Sequence, residues 1–145
     1  MELELVEKRP EPGEHMWYPF GPNRAFTEEW WNELAEADDQ SRYIEVRADG
    51  VEVARVELDE SVSFDFYIGA PTLGRMALEV QFIEVAADHR RRRIGLSVVN
   101  ALAERHPDRR LVAFSEGADR FWASLGWTRY EHSDGCSRPL FIQPR

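Results

Sequence analysis

Residues 83–97 read Ile-Glu-Val-Ala-Ala-Asp-His-Arg-Arg-Arg-Arg-Ile-Gly-Leu-Ser, and this stretch decides the expected fold. A buried strand ends at Val85, a short polar turn follows, and an amphipathic helix begins near Arg93. The turn should present backbone N–H groups and the positive end of a helix dipole beside a basic cluster, which is typical of a phosphate or pyrophosphate site. Gly95 is expected to let a ligand approach the backbone closely, because it has no side chain.

The basic run Arg90–Arg93 could instead be a solvated surface or a nucleic-acid contact. Short basic runs are common on solvated surfaces, and such a run can also bind nucleic acid. The net charge of −9, from 18 basic and 27 acidic residues, argues against a broad face for nucleic acid or for an anionic membrane. Four cations at a helix N-terminus are unfavourable unless a bound anion neutralises them. This electrostatic mismatch favours the interpretation as an anion site. The acidic balance suits a cationic partner, or serves solubility alone.

Composition limits the class of protein. The 145 residues fit one domain, residues 1–145, and 43% hydrophobic and 31% charged residues are usual for a folded chain. No apolar run approaches the roughly 18 residues that span a bilayer, and the N-terminus does not resemble a secretory signal. The single Cys136 excludes an internal disulfide, and the four histidines lack metal-ligand spacing. We therefore expect a cytoplasmic protein without a metal or a membrane partner.

Strands and helices are predicted on both sides of the basic turn, from hydrophobic periodicity and breaker residues. Asp49-Gly50 predicts a tight hairpin, and the apolar phase slips at Val53-Ala54, which indicates a bulge or two covered faces. The order predicts an α/β sheet with helices on both faces. The predicted strands are 2–8, 42–48, 51–58, 76–86, 111–115, 128–132 and 139–143, with 64–67 extending the pairing, and the predicted helices are 27–37, 94–106 and 118–127.

Two motifs resemble the GCN5-related N-acetyltransferase (GNAT) family. The family motif Arg/Gln-x-x-Gly-x-Gly/Ala reads Arg90-Arg-Arg-Arg93-Ile-Gly95 here, with Arg93 where the family usually has its first glycine. The family block Asn-x-x-Ala-x-x-Phe-Tyr-x-x-x-Gly-Phe reads Ser115-Glu-Gly-Ala118-Asp-Arg-Phe121-Trp122-Ala-Ser-Leu-Gly126-Trp127, with every spacing kept. The resemblance in motifs covers residues 76–127, and the order of elements extends it loosely over the chain.

The resemblance implies a fold, a co-substrate and its contacts. The fold would be a mixed, mostly antiparallel sheet with a central V-shaped splay, and the co-substrate acetyl-CoA. Backbone amides of the turn would hold the pyrophosphate, provided that Arg93 has a helical φ, and Val85 would bind pantetheine. Ser115 replaces the family Asn, and a hydroxyl keeps part of its function. Trp122 replaces the Tyr that often serves as general acid. The implied CoA contacts are Val85, Arg90, Arg91, Arg92, Arg93, Ile94, Gly95, Leu96, Ser115 and Trp122.

The activity implied by the resemblance is direct transfer of an acetyl or acyl group from acetyl-CoA to an amine of a small molecule or peptide. Counted back from Arg90, Glu79 matches the catalytic Glu of the histone-acetyltransferase branch, and either Glu79 or water would deprotonate the amine. Glu84 is expected on the opposite side of the strand, as a surface carboxylate.

Several questions stay open in the sequence. The aromatic residues Trp17, Tyr18, Phe20, Trp30 and Trp31 are interpreted as core packing, or else as part of a groove for a flat or cationic acceptor. A catalytically weakened acyl-CoA-binding module is an alternative function, and nucleic-acid binding through Arg90–Arg93 is a third. Family members often pair through terminal strands, which allows a homodimer. The acceptor depends on loops 9–26, 59–75 and 132–138, and its identity is not determined.

Overall fold

The computed structural model of the chain describes residues 2–90 and 93–145. Its strands are β1 (Leu3–Lys8), β2 (Met16–Trp17), β3 (Ala35–Glu36), β4 (Ser41–Ala48), β5 (Val51–Asp59), β6 (Ala77–Val85), β7 (Arg110–Phe114), β8 (Thr128–Tyr130) and β9 (Leu140–Ile142). Its α-helices are α1 (Glu28–Trp31), α2 (Ile94–Arg105) and α3 (Asp119–Ser124). None of the helices in the described ranges combines the length and the apolar character that crossing a membrane requires.

A seven-stranded sheet has the strand order β1-β4-β5-β6-β7-β9-β8. Its neighbouring strands are antiparallel except for β6 and β7, which are parallel. A parallel pair needs a long crossover, and α2 supplies it between β6 and β7. The mixed, mostly antiparallel sheet that the resemblance implies is confirmed.

The sheet opens between its two parallel strands. β6 pairs with β7 only over Ala77–Glu79, whereas β6 itself continues to Val85 alongside β5. In the part of the chain that the structure describes, no strand pairs with the β7 side of β6 beyond Glu79. This is the V-shaped splay expected for the fold, and it leaves backbone groups along one edge of β6 without strand partners.

β5 contains one extra residue opposite β4. Val46 pairs with Ala54 and Arg47 with Glu52, so Val53 has no partner between them. Val53 and Ala54 are both fully buried although they are adjacent. The predicted bulge is confirmed, and so is the covering of both faces of the strand at this point. The hairpin at Asp49-Gly50 is also confirmed, since both residues have positive φ.

β6 contains a second extra residue. Glu57 pairs with Phe82 and Leu58 with Val80, which leaves Gln81 unpaired opposite β5. A bulge of this kind shifts the alternation of side chains by one residue.

This second bulge changes the side of β6 on which a carboxylate lies. Leu78 faces the core beneath α2 before the bulge, whereas Ile83 and Val85 pack against that core after it. Glu79 and Glu84 therefore lie on the same face of the sheet, the one opposite α2. The prediction that they point to opposite sides is wrong, because it assumed an unbroken alternation.

Helices cover both faces of the sheet, as expected. The main core lies between the sheet and α2, which buries Ile94, Val98, Val99 and Leu102. On the other face, Phe20, Phe26 and Trp31 form a smaller cluster with Tyr43, whose strand neighbour Ile44 faces the main core. α1 therefore packs on the face opposite α2.

Two predicted elements differ from the structure. The helix predicted from Thr27 to about Ala37 ends at Trp31, since Ala35–Glu36 instead pair with Met16–Trp17. Residues 64–67 do not extend the pairing of β5; within the described residues Tyr67 makes only an isolated bridge to His132. Both errors arise from long-range pairing that local periodicity does not contain.

Candidate functional site

A groove of about 710 Å³ lies between the end of β6, the start of α2 and α1. Of the residues that the sequence assigned to CoA, this groove contains Val85, Arg90, Arg93, Gly95 and Leu96. Ile94 is buried in the core beneath the turn, and Arg91 and Arg92 lie outside the described residues. We call this cavity the turn groove.

Arg93 has a left-handed backbone at the N-cap of α2, with φ of 56° and ψ of 28°. The helical φ on which the sequence argument depended is therefore absent. A left-handed conformation costs an L-residue about 1–2 kcal/mol, and glycine avoids that cost. The structure thus gives a physical reason for the glycine that the resembled motif has at this place, and Arg93 adopts the left-handed backbone at that cost.

Gly95 is in close contact with the second motif. A Cβ at this position would lie 3.1 Å from Cε1 of Phe121 and 3.8 Å from Cγ2 of Val85. The tightest contact of a side chain here would be with the Phe121 ring, which would have to shift slightly to accept it. Phe121 lines the turn groove, and so the two motifs meet at a single wall.

Arg90 folds back onto the end of β6. Its Nε donates to the carbonyl oxygen of Val85 at 3.2 Å, and its Nη2 donates to Glu84 at 3.1 Å. The side chain is still 57% exposed. A cationic group is thus held at the mouth of the turn groove.

Glu84 is 6% exposed and accepts hydrogen bonds from three residues. Thr27 donates through its backbone N–H at 2.9 and 3.1 Å and through its hydroxyl at 2.8 Å. Trp31 donates through Nε1 at 2.8 Å, and Arg90 completes the set. The expectation of a surface carboxylate is wrong for Glu84, because the bulge turns it towards α1.

Ser115 and Trp122 do not line the turn groove. The Ser115 hydroxyl is buried, donates to Asp119 and accepts from the backbone N–H of Ala118 at 3.2 Å, so it organises the start of α3. Trp122 is 4% exposed and stacks on Trp127 in the main core, with ring centroids 4.8 Å apart. The structure therefore places Trp122 in the core, where its ring packs against Trp127.

Glu79 lies where β6 and β7 separate, with Asp59 and Val112 beside it on the two neighbouring strands. Burial raises the pKa of Glu79 to about 7, and the carboxylate of Asp59 adds to the rise against the opposing charge of Arg138. A carboxyl whose pKa is near the working pH can accept a proton efficiently.

A second groove, of about 590 Å³, lies on the face of the sheet that carries Glu79. We call it the acidic groove. Its lining includes aromatic rings and carboxylates, and none of the described residues that line it is basic. The aromatic and acidic residues of the lining include Trp30, Trp31, Tyr43, Phe82, Glu33, Glu36, Asp39, Glu57 and Asp59. In the described part of the chain, no three His, Cys, Asp or Glu side chains come together as a metal site.

The charges of the acidic groove act on one another. Burial raises the pKa of Glu57, and the carboxylates of Asp39, Asp59 and Glu33 add to the rise. Burial, with the charge of Glu57 next, raises the pKa of Tyr43 to about 12. A bound cation would relieve this repulsion.

The aromatic cluster serves two purposes. Phe20 and Trp31 are buried, as the packing interpretation predicts. Trp30 is 48% exposed and lies 6.3 Å from Phe82, measured between ring centroids. Trp30 lines both the turn groove and the acidic groove, so the two cavities share one wall.

Six residues of the turn groove were not among those that the sequence assigned to CoA: Thr27, Trp30, Ile83, Glu84, Phe121 and Ser124. Thr27 and Trp30 reach it only because α1 docks on the end of β6, which no local pattern indicates. Phe121 lies inside the second motif, where its apolar neighbours indicate a buried helix face. Its presence in a spaced motif was the available signal.

No family model matches this sequence, and no curated protein matches it. Several solved structures are similar in fold, and three of them have TM-scores above 0.5. YhhK of E. coli, described as an N-acetyl transferase and bound to coenzyme A, is 15% identical with a TM-score of 0.57, and the match covers 99% of this chain and 100% of that chain.

The two other structures match a smaller share. An acetyltransferase from Thermus thermophilus is 16% identical with a TM-score of 0.56, over 74% of this chain and 66% of that one. A protein from Desulfovibrio desulfuricans, described as a GNAT-family acetyltransferase, is 11% identical with a TM-score of 0.53, over 72% and 68%. At these identities the likeness establishes the fold.

Proposed function

We propose that this chain, which has the fold of the GNAT acetyltransferases, transfers an acetyl or acyl group from acetyl-CoA directly to an amine. The observation that carries the proposal is the turn groove, which joins a basic helix start to the open edge of β6. Glu79, with its pKa near 7, lies at the point where that edge begins. Binding determinants for an anionic thioester and a group that accepts protons thus occur along one strand.

Acetyl-CoA would bind along the splay. The start of α2 at Ile94–Leu96 offers backbone N–H groups and a helix dipole to the pyrophosphate, and Arg90 and Arg93 add positive charge. The unpaired edge of β6 would align the pantetheine arm. Backbone amides at that edge would polarise the thioester carbonyl as charge develops on its oxygen.

The amine must be neutral to attack, so an acceptor that binds as an ammonium first loses one proton to Glu79, directly or through water. Its nitrogen then attacks the thioester carbon, the carbon–sulfur bond breaks, and CoA leaves as a thiolate. The nitrogen loses its second proton to solvent as the amide forms. Because Trp122 is buried in the core, the thiolate would take its proton from solvent.

The acceptor would be a cationic amine that enters through the acidic groove. Carboxylates such as Glu57 and Asp59 attract an ammonium group, and the exposed ring of Trp30 adds a cation–π contact. Small-molecule amines and peptide amines both meet this description.

Calorimetric titration with CoA, beside a thiol-release assay over a panel of amines, tests the proposal. We expect CoA to bind and cationic amines to release thiol, with Glu79→Gln lowering kcat about 10²–10⁴-fold while CoA affinity is unchanged. Glu7→Gln, on the distant strand β1, is the control.

Tight CoA binding without turnover of any amine would contradict the enzyme and support the acyl-CoA-binding module. That second function is favoured by one observation, the core position of Trp122. Loss in Glu79→Gln of less than tenfold would assign deprotonation to water.

A further inference from the structure

We propose that Glu84 is a positioning residue that holds Arg90 and the segment Thr27–Trp31 in place on two sides of the turn groove. The inference rests on the proposed function, since it assigns Glu84 to the binding of CoA and of the acceptor. Glu84 itself touches neither the thioester nor the amine in this account, and it acts through the residues that it holds.

Both oxygens of the Glu84 carboxylate accept hydrogen bonds from protein donors. Oε1 accepts from the Thr27 N–H and from Trp31 Nε1, and Oε2 accepts from Thr27 and from Arg90. A buried carboxylate is unfavourable unless its oxygens are paired in this way. Both oxygens face donors, so the site requires hydrogen-bond acceptors on both sides and not merely a polar side chain.

Glu84 orders the side chain of Arg90. An arginine that is more than half exposed normally samples many rotamers, and ordering it opposes ligand binding. Here Glu84 and the Val85 carbonyl fix two of its nitrogens before any ligand arrives. The charge that faces a pyrophosphate is therefore pre-organised by Glu84.

Glu84 also fixes the short helix α1 on the sheet. Its four residues, Glu28–Trp31, are too few to be stable as an isolated helix. The Thr27 hydroxyl makes no capping bond to this helix and binds Glu84 instead. The position of Trp30, which lines both grooves, thus depends on the bonds that Glu84 accepts from Thr27 and Trp31.

The test compares Glu84→Gln, Thr27→Val and Glu7→Gln by calorimetric titration with CoA and by amide hydrogen exchange of residues 27–31. Glu84→Gln puts an amide NH₂ against existing donors. It should therefore raise the Kd for CoA roughly tenfold and speed exchange in the segment. Thr27→Val removes only the hydroxyl donor, and should speed that exchange while raising the Kd for CoA less than the Glu84 variant does.

Glu7→Gln is the matched control. Glu7, on the edge strand β1, forms an ion pair with Arg42 on β4, and the variant loses that pair. It should change thermal stability but neither CoA affinity nor exchange at 27–31. The proposal is overturned if Glu84→Gln and Glu7→Gln lower thermal stability alike and leave both readouts unchanged. It is also overturned if Thr27→Val leaves exchange at 27–31 unchanged.

These readouts need no turnover. Failure of the proposed function would appear separately, as a wild-type chain that binds CoA and acetylates no amine.

Discussion

The stability of the chain should depend on pH through Glu79, in a direction opposite to that of a paired carboxylate. Burial, reinforced by Asp59, raises the pKa of Glu79 from 4.5 to about 7 in the folded protein. The folded state therefore binds this proton more tightly than the unfolded state. The contribution to stability is fully present below pH 4.5 and is lost as pH rises towards 7.

The size of the effect follows from the shift. At about 1.4 kcal/mol per pKa unit, a rise from 4.5 to about 7 sets an upper bound of about 3.5 kcal/mol. Solvent screening of a half-buried group reduces the expected value to about 1–2 kcal/mol. For a chain of this length that corresponds to roughly 3–8 °C in melting temperature.

Thermal unfolding of wild type and Glu79→Gln between pH 4.5 and 8 measures the effect. The variant has no titrating proton at this position. Its melting temperature should therefore rise relative to that of wild type by roughly 3–8 °C as the pH increases from 4.5 to 8. Glu60→Gln is the control. Burial opposes the change, but hydrogen bonds from Arg109 and Arg42 outweigh it and lower the pKa of Glu60. Its contribution is therefore lost only below pH 4.5, and its difference from wild type should stay flat above that pH. A flat difference for Glu79→Gln as well would refute the burial argument.

Two further predictions concern the turn. Arg93→Gly should stabilise the fold by about 0.5–1 kcal/mol, measured by thermal unfolding, because relief of the left-handed backbone exceeds the entropy cost of glycine. Arg93→Ala removes the same charge but keeps the strain, so equal stability of the two variants would contradict this prediction. Gly95→Ala should weaken CoA binding in calorimetry, because the added Cβ would lie 3.1 Å from Phe121. The free energy of unfolding should change by less than about 1 kcal/mol, because alanine favours the helix. Unchanged CoA affinity would show that the Phe121 ring moves aside freely.

Elements with a strong local pattern could be predicted from the sequence. The hairpin at Asp49-Gly50 depends on turn residues that tolerate positive φ. The helix α2 shows its apolar periodicity directly and ends near Pro107. The V-shaped splay came from the family resemblance, and the pairing of β6 bears it out.

What failed depends on contacts distant in sequence. α1 ends early because residues 35–36 pair with residues 16–17, and Thr27 bonds to Glu84 across 57 residues. A bulge of one residue at Gln81 reverses the side of Glu84, and the apolar pattern of β6 does not reveal it. The burial of Trp122 follows from stacking on Trp127, a contact within the core that the motif does not indicate, and its contact with CoA stays a prediction.

The most direct test of the account is an experimental structure with acetyl-CoA bound. We predict the pyrophosphate within about 3 Å of the backbone N–H groups of residues 94–96, the pantetheine along the open edge of β6, and the thioester near Glu79. A coenzyme bound elsewhere on the chain, or a thioester remote from Glu79 and the acidic groove, would contradict the account.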